Sequence, residues 1–284
     1  MMQPDSDFIA SRTPPSALYD AYLFDLDGTI YLGNELLPGA KRLLSSLADA
    51  GKQTVFLSNN PTRDRRMYVE KLARLGIEVP ESSIINTVVS TVAWLKKNHP
   101  HATVFPIAER PLIRAIEEAG IKISDKPAEI DIVIASYDRG FTYAKLQVAF
   151  DALWHEKRAI LITTNPDRYC PFPGGRGEPD AAAIVAAIEA STGITCVANM
   201  GKPDAIMIET VLAELGTDLS NAIMVGDRLQ TDIRMARNAG IDSALVLTGD
   251  SQIEDVLACP REGRPTFVLD RIDELLPLRQ PAGT

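Results

Sequence analysis

The sequence of 284 residues has few of the features that mark secreted and membrane proteins. Its three cysteines, Cys170, Cys196 and Cys259, include no CxxC pair, so we expect no disulfide framework. No apolar run approaches the roughly 20 residues that a membrane span needs. The N-terminal stretch 1–20 is polar and contains prolines, unlike a signal peptide. These absences predict a cytoplasmic protein that has no membrane partner.

Positive charge is also scarce, with 29 Lys and Arg against 38 Asp and Glu and a formal net charge of −9. A nucleic-acid-binding surface needs a basic face, so we expect no nucleic-acid partner. The glycine fingerprints of dinucleotide and P-loop sites are absent, since Gly201-Lys202 is followed by Pro203. An anionic ligand would therefore need a local cationic pocket or a metal ion.

Short apolar strands alternate with amphipathic helices near both ends of the chain. We predict strands at 21–24, 54–57, 222–225 and 243–247, and helices at 38–50, 62–75 and 231–239 and from Pro203 to about 215. This alternation predicts an α/β fold with a parallel sheet covered on both faces. The middle of the chain, 88–198, has strands and helices of its own. Periodicity alone leaves open whether it extends the same sheet or forms a second domain.

Two carboxylates, Asp25 and Asp27, stand one residue apart where the predicted strand 21–24 ends. Two acids in one tight turn repel each other unless a cation or a proton lies between them. Such an arrangement indicates a site where the acids take part in chemistry. A simple turn is the alternative for this motif in isolation, because Asp and Gly both favour turns.

Three further polar motifs occur beside predicted strand or helix ends. They are Ser58-Asn59-Asn60 after strand 54–57, Lys202 before Pro203, and Asp227 with Asp232 after strand 222–225. Ligands of open parallel sheets gather beyond the carboxyl ends of the strands. If these strands share one sheet, the four motifs converge.

The converged set has the chemistry of phosphoryl transfer. Oxygen ligands from Asp25 and Asp227 suit Mg²⁺, and Asp25 can attack phosphorus to form an aspartyl-phosphate. Ser58 and the amides that follow it can hold phosphate oxygens, while Lys202 can neutralise the charge on the transferring group. Asp27 can protonate the leaving oxygen and then deprotonate the attacking water.

Several of these residues also have purely structural explanations. Residues 58–60 can cap a helix, which is compatible with phosphate binding because a helix N-terminus presents free amides. Asp232 can be a first-turn acid that the helix dipole favours. Arg63 begins a basic run that is either a solvated face or a contact to substrate. Trp94 and Trp154 lie in helical apolar stripes and are expected in the core.

The four motifs, DLDGT, SNN, GKP and GDRLQTDI, appear in the order that haloacid dehalogenase superfamily phosphatases have them. The chain resembles that superfamily from about Tyr19 onward. The resemblance implies a Rossmann-like parallel-sheet core and a Mg²⁺ cofactor. It also implies that the main-chain carbonyl of Asp27 ligates the metal and that Asp232 supports the metal site from outside the ligand set.

The sequence Asp-Gly-Thr-Ile-Tyr, and SNN followed by an Arg-rich helix, resemble subclass IIA of this superfamily, which carries a large α/β (C2-type) cap. NagD-like proteins, 4-nitrophenylphosphatases and phosphoglycolate phosphatases belong there. The resemblance implies a catalytic core of 1–87 plus 199–284 and an inserted α/β cap, 88–198, that selects the substrate. Thr164-Asn165-Pro166-Asp167 resembles the cap motif, which places Asn165 and Asp167 among the substrate-binding residues with Ser58, Asn59, Asn60 and Arg63. A homodimer through the cap is a further implication.

We therefore expect Mg²⁺-dependent hydrolysis of a small phosphorylated metabolite through an aspartyl-phosphate. A phosphotransferase or mutase on the same scaffold is one alternative, and a receiver-like protein that only accepts a phosphoryl group is another. The Pro/Gly-rich loop 169–178, which includes Cys170, matches no particular substrate. Sugar phosphates, phosphoglycolate, nucleotides and pyridoxal phosphate all stay open as substrates.

Overall fold

A computed structural model of the chain describes residues 11–172, 175–215 and 220–277. These residues divide between two compact units. The first unit comprises the described parts of Met1–Leu57, Val69–Ile84 and Val211–Thr284, and the second those of Ser58–Tyr68 and Ile85–Thr210. The predicted insertion, 88–198, lies within the second unit. Its role as a substrate-selecting cap stays a prediction.

Strands and helices alternate along the described residues. The strands are β1 Ala21–Asp25, β2 Tyr31–Leu32, β3 Glu35–Leu36, β4 Gln53–Ser58, β5 Ile84–Asn86, β6 Thr103–Ile107, β7 Lys122–Ile123, β8 Ile132–Ala135, β9 Ile160–Thr163, β10 Tyr169–Phe172, β11 Arg176–Pro179, β12 Ala198–Asn199, β13 Ala222–Gly226, β14 Asp242–Val246 and β15 Phe267–Leu269. The α-helices are α1 Ala40–Asp49, α2 Arg65–Arg74, α3 Thr87–Asn98, α4 Arg110–Glu118, α5 Tyr143–Phe150, α6 Ala181–Thr192, α7 Ile206–Leu215, α8 Arg234–Ala239 and α9 Ile253–Ala258.

The first unit is built on most of a six-stranded sheet of order β15-β14-β13-β1-β4-β5. Strand β1 lies between β13 and β4 and pairs in parallel with both. Residues 21–24 of β1 are almost wholly excluded from solvent, as expected of a strand that is covered on both faces. Because Asp25 pairs with Leu57 and Phe24 with Val225, the carboxyl ends of these three strands lie side by side.

The second unit has a five-stranded parallel sheet of order β12-β9-β8-β6-β7. Alternate residues of its strands belong to two different apolar clusters. Phe105 and Val133 pack with α5 and α6, whereas Val104 and Ile132 pack with α3 and α4. Both faces are therefore buried, and the predicted α/β fold with Rossmann-like parallel sheets is confirmed.

Two predicted helix starts are wrong. The helix predicted from Pro203 begins at Ile206, because a turn follows Lys202. The helix predicted from Thr62 begins at Arg65, because the Asn60 Oδ1 accepts hydrogen bonds from the Thr62 amide and hydroxyl in a local turn. Pro203 begins the first segment and Pro61 directly precedes the second, and proline favours the first helical position but also favours turns.

Two further expectations need correction. Trp154 is 51% exposed and stacks on Phe150, so it does not lie in the core. The apolar stripe changes phase there because α5 gives way to a π-helical turn, Asp151–His155, with a different residue spacing. Much of the predicted loop 169–178 is an antiparallel hairpin of β10 and β11. Among the described residues, none of the helices has the length and apolar character that crossing a membrane requires.

Candidate active site

Three carboxylates meet at the carboxyl ends of β1 and β13 in the first unit. Asp25 ends β1, Asp227 follows β13, and Asp232 lies in the π-helical turn Leu229–Ile233. One oxygen from each carboxylate lies within 4.8 Å of the other two. Asp227 and Asp232 are buried, so water screens their mutual repulsion only weakly. A cation that binds all three would relieve that repulsion.

Main-chain amides fix the two buried carboxylates of this cluster. The Asp250 amide donates to Asp227 Oδ2 at 2.7 Å, and the Arg228 amide donates to Asp232 Oδ2 at 3.1 Å. Each bond satisfies one carboxylate oxygen and restricts rotation of the side chain. The cluster is therefore held in place before any ligand binds.

Glycines leave the space that the buried carboxylates occupy. A Cβ on Gly28 would lie 2.7 Å from Asp227 Cγ, and a Cβ on Gly226 would overlap the side chain of Asp232. Gly28 also has φ +90°, a backbone conformation that other residues seldom adopt. The glycine of the first motif is thus required by the turn and by the side chain it faces.

Asp27 is placed differently from the other acids. Its side chain is 62% exposed, and its nearer oxygen lies 3.8 Å from Lys71 Nζ. Lys71 is buried and lies 3.4 Å from the centre of the Tyr31 ring, so an aromatic face and a carboxylate share its charge. An accessible, oriented carboxylate is what an acid–base role requires.

Ser58 and Asn60 have local partners within the second unit. Ser58 Oγ and Tyr68 Oη lie 2.8 Å apart, and the Asn60 amide donates to Ser58 Oγ at 3.3 Å. Asn60 shapes the turn to Thr62 and does not cap α2. The Asp64 carboxylate instead accepts from the Met67 amide in the first turn of that helix.

Asn59 and Lys202 are joined directly within the second unit. The Lys202 amide donates to Asn59 Oδ1 at 2.7 Å, and Asn59 Nδ2 donates to the Lys202 carbonyl at 3.0 Å. Lys202 is only 3% exposed, so it is not a solvated surface lysine. Asp167 accepts a third hydrogen bond, from Asn59 Nδ2, at 3.1 Å.

Asn165 lies beneath Asn59 and is completely buried. Its Nδ2 donates to the Asn59 carbonyl at 3.2 Å and to Asp180 Oδ1 at 3.3 Å. Asp180 caps α6 through the Ala181 amide. Burial raises the pKa of Asp180 to about 6, and the nearby charge of Asp167 adds to this, while the hydrogen bonds from Ala181 and Asn165 oppose it.

Arg63 contacts the aromatic ring of Tyr68, with Cζ 5.9 Å from the ring centre, and its carbonyl accepts from Asn86. Its predicted contact with substrate stays a prediction. Sequence reasoning missed Lys71 in the first unit and Asp180 in the second. Asp180 precedes an Ala-rich helix, which is a capping signal, but nothing in the sequence indicates that it is buried. The sequence pattern around Lys71 predicts an ordinary solvated helix residue.

Comparison with known proteins gives the class. A family model described as haloacid dehalogenase-like hydrolase matches residues 22–122, and a second, HAD-hydrolase-like model matches residues 199–275. The sugar-phosphatase AraL of Bacillus subtilis is 34% identical over 258 residues, which cover 91% of this chain and 92% of the relative. The 5'-nucleotidase YutF of Bacillus subtilis is 34% identical over 91% of this chain and 98% of the relative.

Solved structures agree with this assignment. The crystal structure of 4-nitrophenylphosphatase from Thermotoga maritima superposes with a TM-score of 0.84 at 34% identity, covering 90% of this chain and 96% of that one. The chain belongs to the haloacid dehalogenase-like hydrolases. Since the relatives are named phosphatases, the prediction of a hydrolase that acts on phosphoric monoesters is confirmed.

Proposed function

We propose that the protein hydrolyses small phosphomonoesters with the help of Mg²⁺ and through an aspartyl-phosphate on Asp25. The observation that carries this proposal is the cluster of Asp25, Asp227 and Asp232 oxygens within 4.8 Å of one another. The cluster fits the ion, because carboxylate oxygens are the ligands that Mg²⁺ prefers. Asp25 and Asp227, with the Asp27 carbonyl that the family resemblance implies, would hold it, and Asp232 would support the site from outside the ligand set. Bound there, it would polarise the phosphoryl group and offset its charge.

Catalysis begins with nucleophilic attack. A carboxylate oxygen of Asp25 forms a bond to phosphorus as the bond from phosphorus to the leaving oxygen breaks. Asp27 donates its proton to that oxygen, so the alcohol departs neutral. Ser58 and Lys202 act on the transferring group, the first by a hydrogen bond and the second by its positive charge.

Hydrolysis of the intermediate reverses these roles. Asp27, now ionised, takes a proton from a water molecule as that water attacks phosphorus. The bond between Asp25 and phosphorus breaks, inorganic phosphate leaves, and both carboxyl groups return to their starting states. The exposure of Asp27 supports this assignment, because the leaving oxygen and the attacking water must both reach its carboxyl group.

The relatives differ in the phosphate esters after which they are named. Relatives are named for sugar phosphates, 5'-nucleotides and 4-nitrophenyl phosphate. We propose a small phosphorylated metabolite, selected by the second unit in its predicted role as a cap. Phosphate release from a panel of sugar phosphates, nucleotides, phosphoglycolate and pyridoxal phosphate, with 4-nitrophenyl phosphate as a general probe, identifies the preferred group.

The decisive experiment uses two aspartate variants and a matched control. Asp25→Asn should abolish Mg²⁺-dependent phosphate release. Asp227→Asn should also remove the Mg²⁺-induced rise in melting temperature, because one negative charge that attracts the metal is lost. Asp49→Asn, at an exposed helix position, should match the wild type in both assays. Normal turnover by Asp25→Asn would refute the assignment of the nucleophile.

A further variant separates a hydrolase from a protein that only accepts or transfers a phosphoryl group. Asp27→Asn should slow hydrolysis of the intermediate more than its formation from 4-nitrophenyl phosphate, whose leaving group departs without a proton. Intact-mass spectrometry under excess of that substrate should therefore detect chain that carries one phosphoryl group. Wild-type protein should release inorganic phosphate over many turnovers, even when alcohols or second sugars are added. In the wild type, transfer to an added acceptor would favour a phosphotransferase. A wild-type phospho-form that lasts for minutes would favour a receiver-like protein.

A further inference from the structure

The side chain of Asn59 forms two hydrogen bonds with the main chain of Lys202. The Lys202 amide donates to Oδ1 at 2.7 Å, and Nδ2 donates to the Lys202 carbonyl at 3.0 Å. An amide side chain bound this way mimics the pairing of neighbouring strands and fixes both the position and the direction of the main chain. We call Asn59, Asn165 and Asp167, together with main-chain residues 201–202, the Asn59 clamp.

Asp167 sets the orientation of the Asn59 amide. Its Oδ2 accepts from Asn59 Nδ2 at 3.1 Å, and a carboxylate oxygen accepts hydrogen bonds. The nitrogen must therefore face Asp167, which turns Oδ1 toward the Lys202 amide. Both protons of Nδ2 are used, one by Asp167 and one by Lys202, so Asn59 has no amide proton to spare for a phosphate oxygen.

Asn165 holds the main chain of Asn59 from the buried side. Its Nδ2 donates to the Asn59 carbonyl, and its Oδ1 accepts from the Asp167 amide at 2.9 Å. The hydroxyl of Thr87 donates to the same Asn59 carbonyl at 3.0 Å. Asn165 is 0% exposed, and its side-chain nitrogen and oxygen bond to the clamp and to Asp180.

The residue before Lys202 is part of the same packing. A Cβ on Gly201 would lie 2.6 Å from Asn59 Oδ1 and 2.8 Å from the Thr164 carbonyl oxygen, closer than real Cβ atoms approach. The main chain at Gly201 therefore packs directly against the Asn59 side chain. Only glycine allows this approach, which explains the glycine of the GKP motif without reference to a ligand.

We propose that Asn59, Asn165 and Asp167 are positioning residues that hold the main chain of Lys202, where the sequence had predicted substrate-binding residues. This inference rests on the proposed function, in which the Lys202 ammonium offsets charge on the transferring phosphoryl group. A displacement of about 1 Å in a catalytic group can cost about a hundredfold in rate. The clamp thus acts on turnover through Lys202 and has little effect on substrate binding.

A double-mutant cycle tests this inference, with kcat and KM measured for the best substrate of the panel. Asn59→Ala should lower kcat about 10- to 100-fold while KM changes by less than about threefold. In a Lys202→Ala background the same substitution should change kcat by less than about twofold, because the group it positions is already gone. Asn98→Ala, an exposed asparagine whose Nδ2 donates to the Trp94 carbonyl, should leave kcat unchanged.

A second pair of variants covers the case in which Asn59→Ala fails to fold. Asp167→Ala removes the acceptor that orients the Asn59 amide, whereas Asp167→Asn keeps an oxygen that can accept the same bond. Asp167→Ala should lower kcat about 3- to 30-fold, and Asp167→Asn should restore most of that loss. Equal losses in the two variants would mean that the charge of Asp167 is needed, which would overturn its assignment as a positioning residue.

Two other results would also overturn the inference, and they differ from failure of the proposed function. A KM that rises more than about tenfold in Asn59→Ala, with kcat unchanged, would show that Asn59 binds substrate. A loss of kcat that is just as large in the Lys202→Ala background would show that Asn59 acts independently of Lys202. Full activity of Lys202→Ala alone would instead refute the catalytic role of that lysine, and the inference would fail with it.

Discussion

The buried carboxylate of Asp180 destabilises the folded chain more at neutral pH than at mildly acidic pH. Asp180 is 5% exposed, and it accepts hydrogen bonds from the Ala181 amide at 2.6 Å and from Asn165 Nδ2 at 3.3 Å. An asparagine at this position keeps an oxygen for both donors and removes the charge. We therefore predict that Asp180→Asn stabilises the protein, and that it does so increasingly as the pH rises.

The pKa of Asp180 gives the size and sign of this effect. Burial raises the pKa from 3.8 to about 6, so the folded state holds a proton that the unfolded state releases between these values. Stability is lost as the pH rises through this window and stays lower above it. The full pKa difference between the folded and unfolded states lowers the free energy of unfolding by about 3 kcal/mol. This loss of unfolding free energy is about 1 kcal/mol at pH 4.5 and reaches its full value by about pH 8.

Urea unfolding of wild type and Asp180→Asn at these two pH values tests the prediction. The free energy of unfolding of the variant should exceed that of the wild type by about 1 kcal/mol at pH 4.5 and about 3 kcal/mol at pH 8. The exposed control Asp49→Asn should show no such growth. A difference that is equal at both pH values would refute the reasoning, because the stabilisation would then have no link to ionisation. A variant less stable than wild type at pH 8 would mean that the charge strengthens the cap by more than its burial costs.

Three further substitutions test two residues of the first unit and one of the second. Gly28→Ala should abolish activity and Mg²⁺-induced thermal stabilisation, because its Cβ would displace Asp227. Lys71→Met should lower kcat about two- to fivefold, since a partly exposed ion pair such as that with Asp27 is worth up to about 1 kcal/mol. Tyr68→Phe should lower the free energy of unfolding by about 1 kcal/mol, measured in urea, because the buried Ser58 hydroxyl loses a hydrogen-bond partner.

Each of these substitutions has a control or a contrary outcome. Gly51 has φ +66° with no atom near its absent Cβ, so Gly51→Ala should show backbone strain alone and keep its activity. Arg74→Met removes an exposed charge from the same helix as Lys71 and should leave kcat unaltered. Unchanged kcat in Lys71→Met would rule out a contribution of this ion pair to turnover. An unaltered unfolding curve in Tyr68→Phe would mean that water replaces the lost partner.

The acidic cluster could be predicted because its causes are local. Asp25 and Asp227 come at or just after the ends of short apolar strands, and parallel strands bring such ends together. Asp25 and Asp227 were placed by this reasoning alone, and Asp232 by its position in the same motif. The strand pattern likewise predicted the parallel sheets, since buried strands read as unbroken apolar runs.

The roles of polar side chains could not be predicted in the same way. Asn59 can bond to a phosphate or to a main chain with equal chemical ease, and only the tertiary structure brings the Lys202 main chain to it. Lys71 lies under Tyr31 because two distant segments pack together, which helix periodicity does not encode. Trp154 lies outside the buried stripe of its helix because a π-helical turn changes the residue spacing there. The sequence carries no clear signal for such a turn.

The hydrogen bonds between Asn59 and Lys202 have a consequence for protein engineering. They join residues 143 positions apart, so they close the intervening polypeptide into a ring without a covalent bond. A chimaera that exchanges only 88–198 with a relative would cut inside this ring and leave its two closing residues behind in the host. An exchange whose junctions fall before Asn59 and after Lys202 would carry the closure along with the transplanted segment. Recombination libraries built from this family should therefore place their crossover points outside that pair.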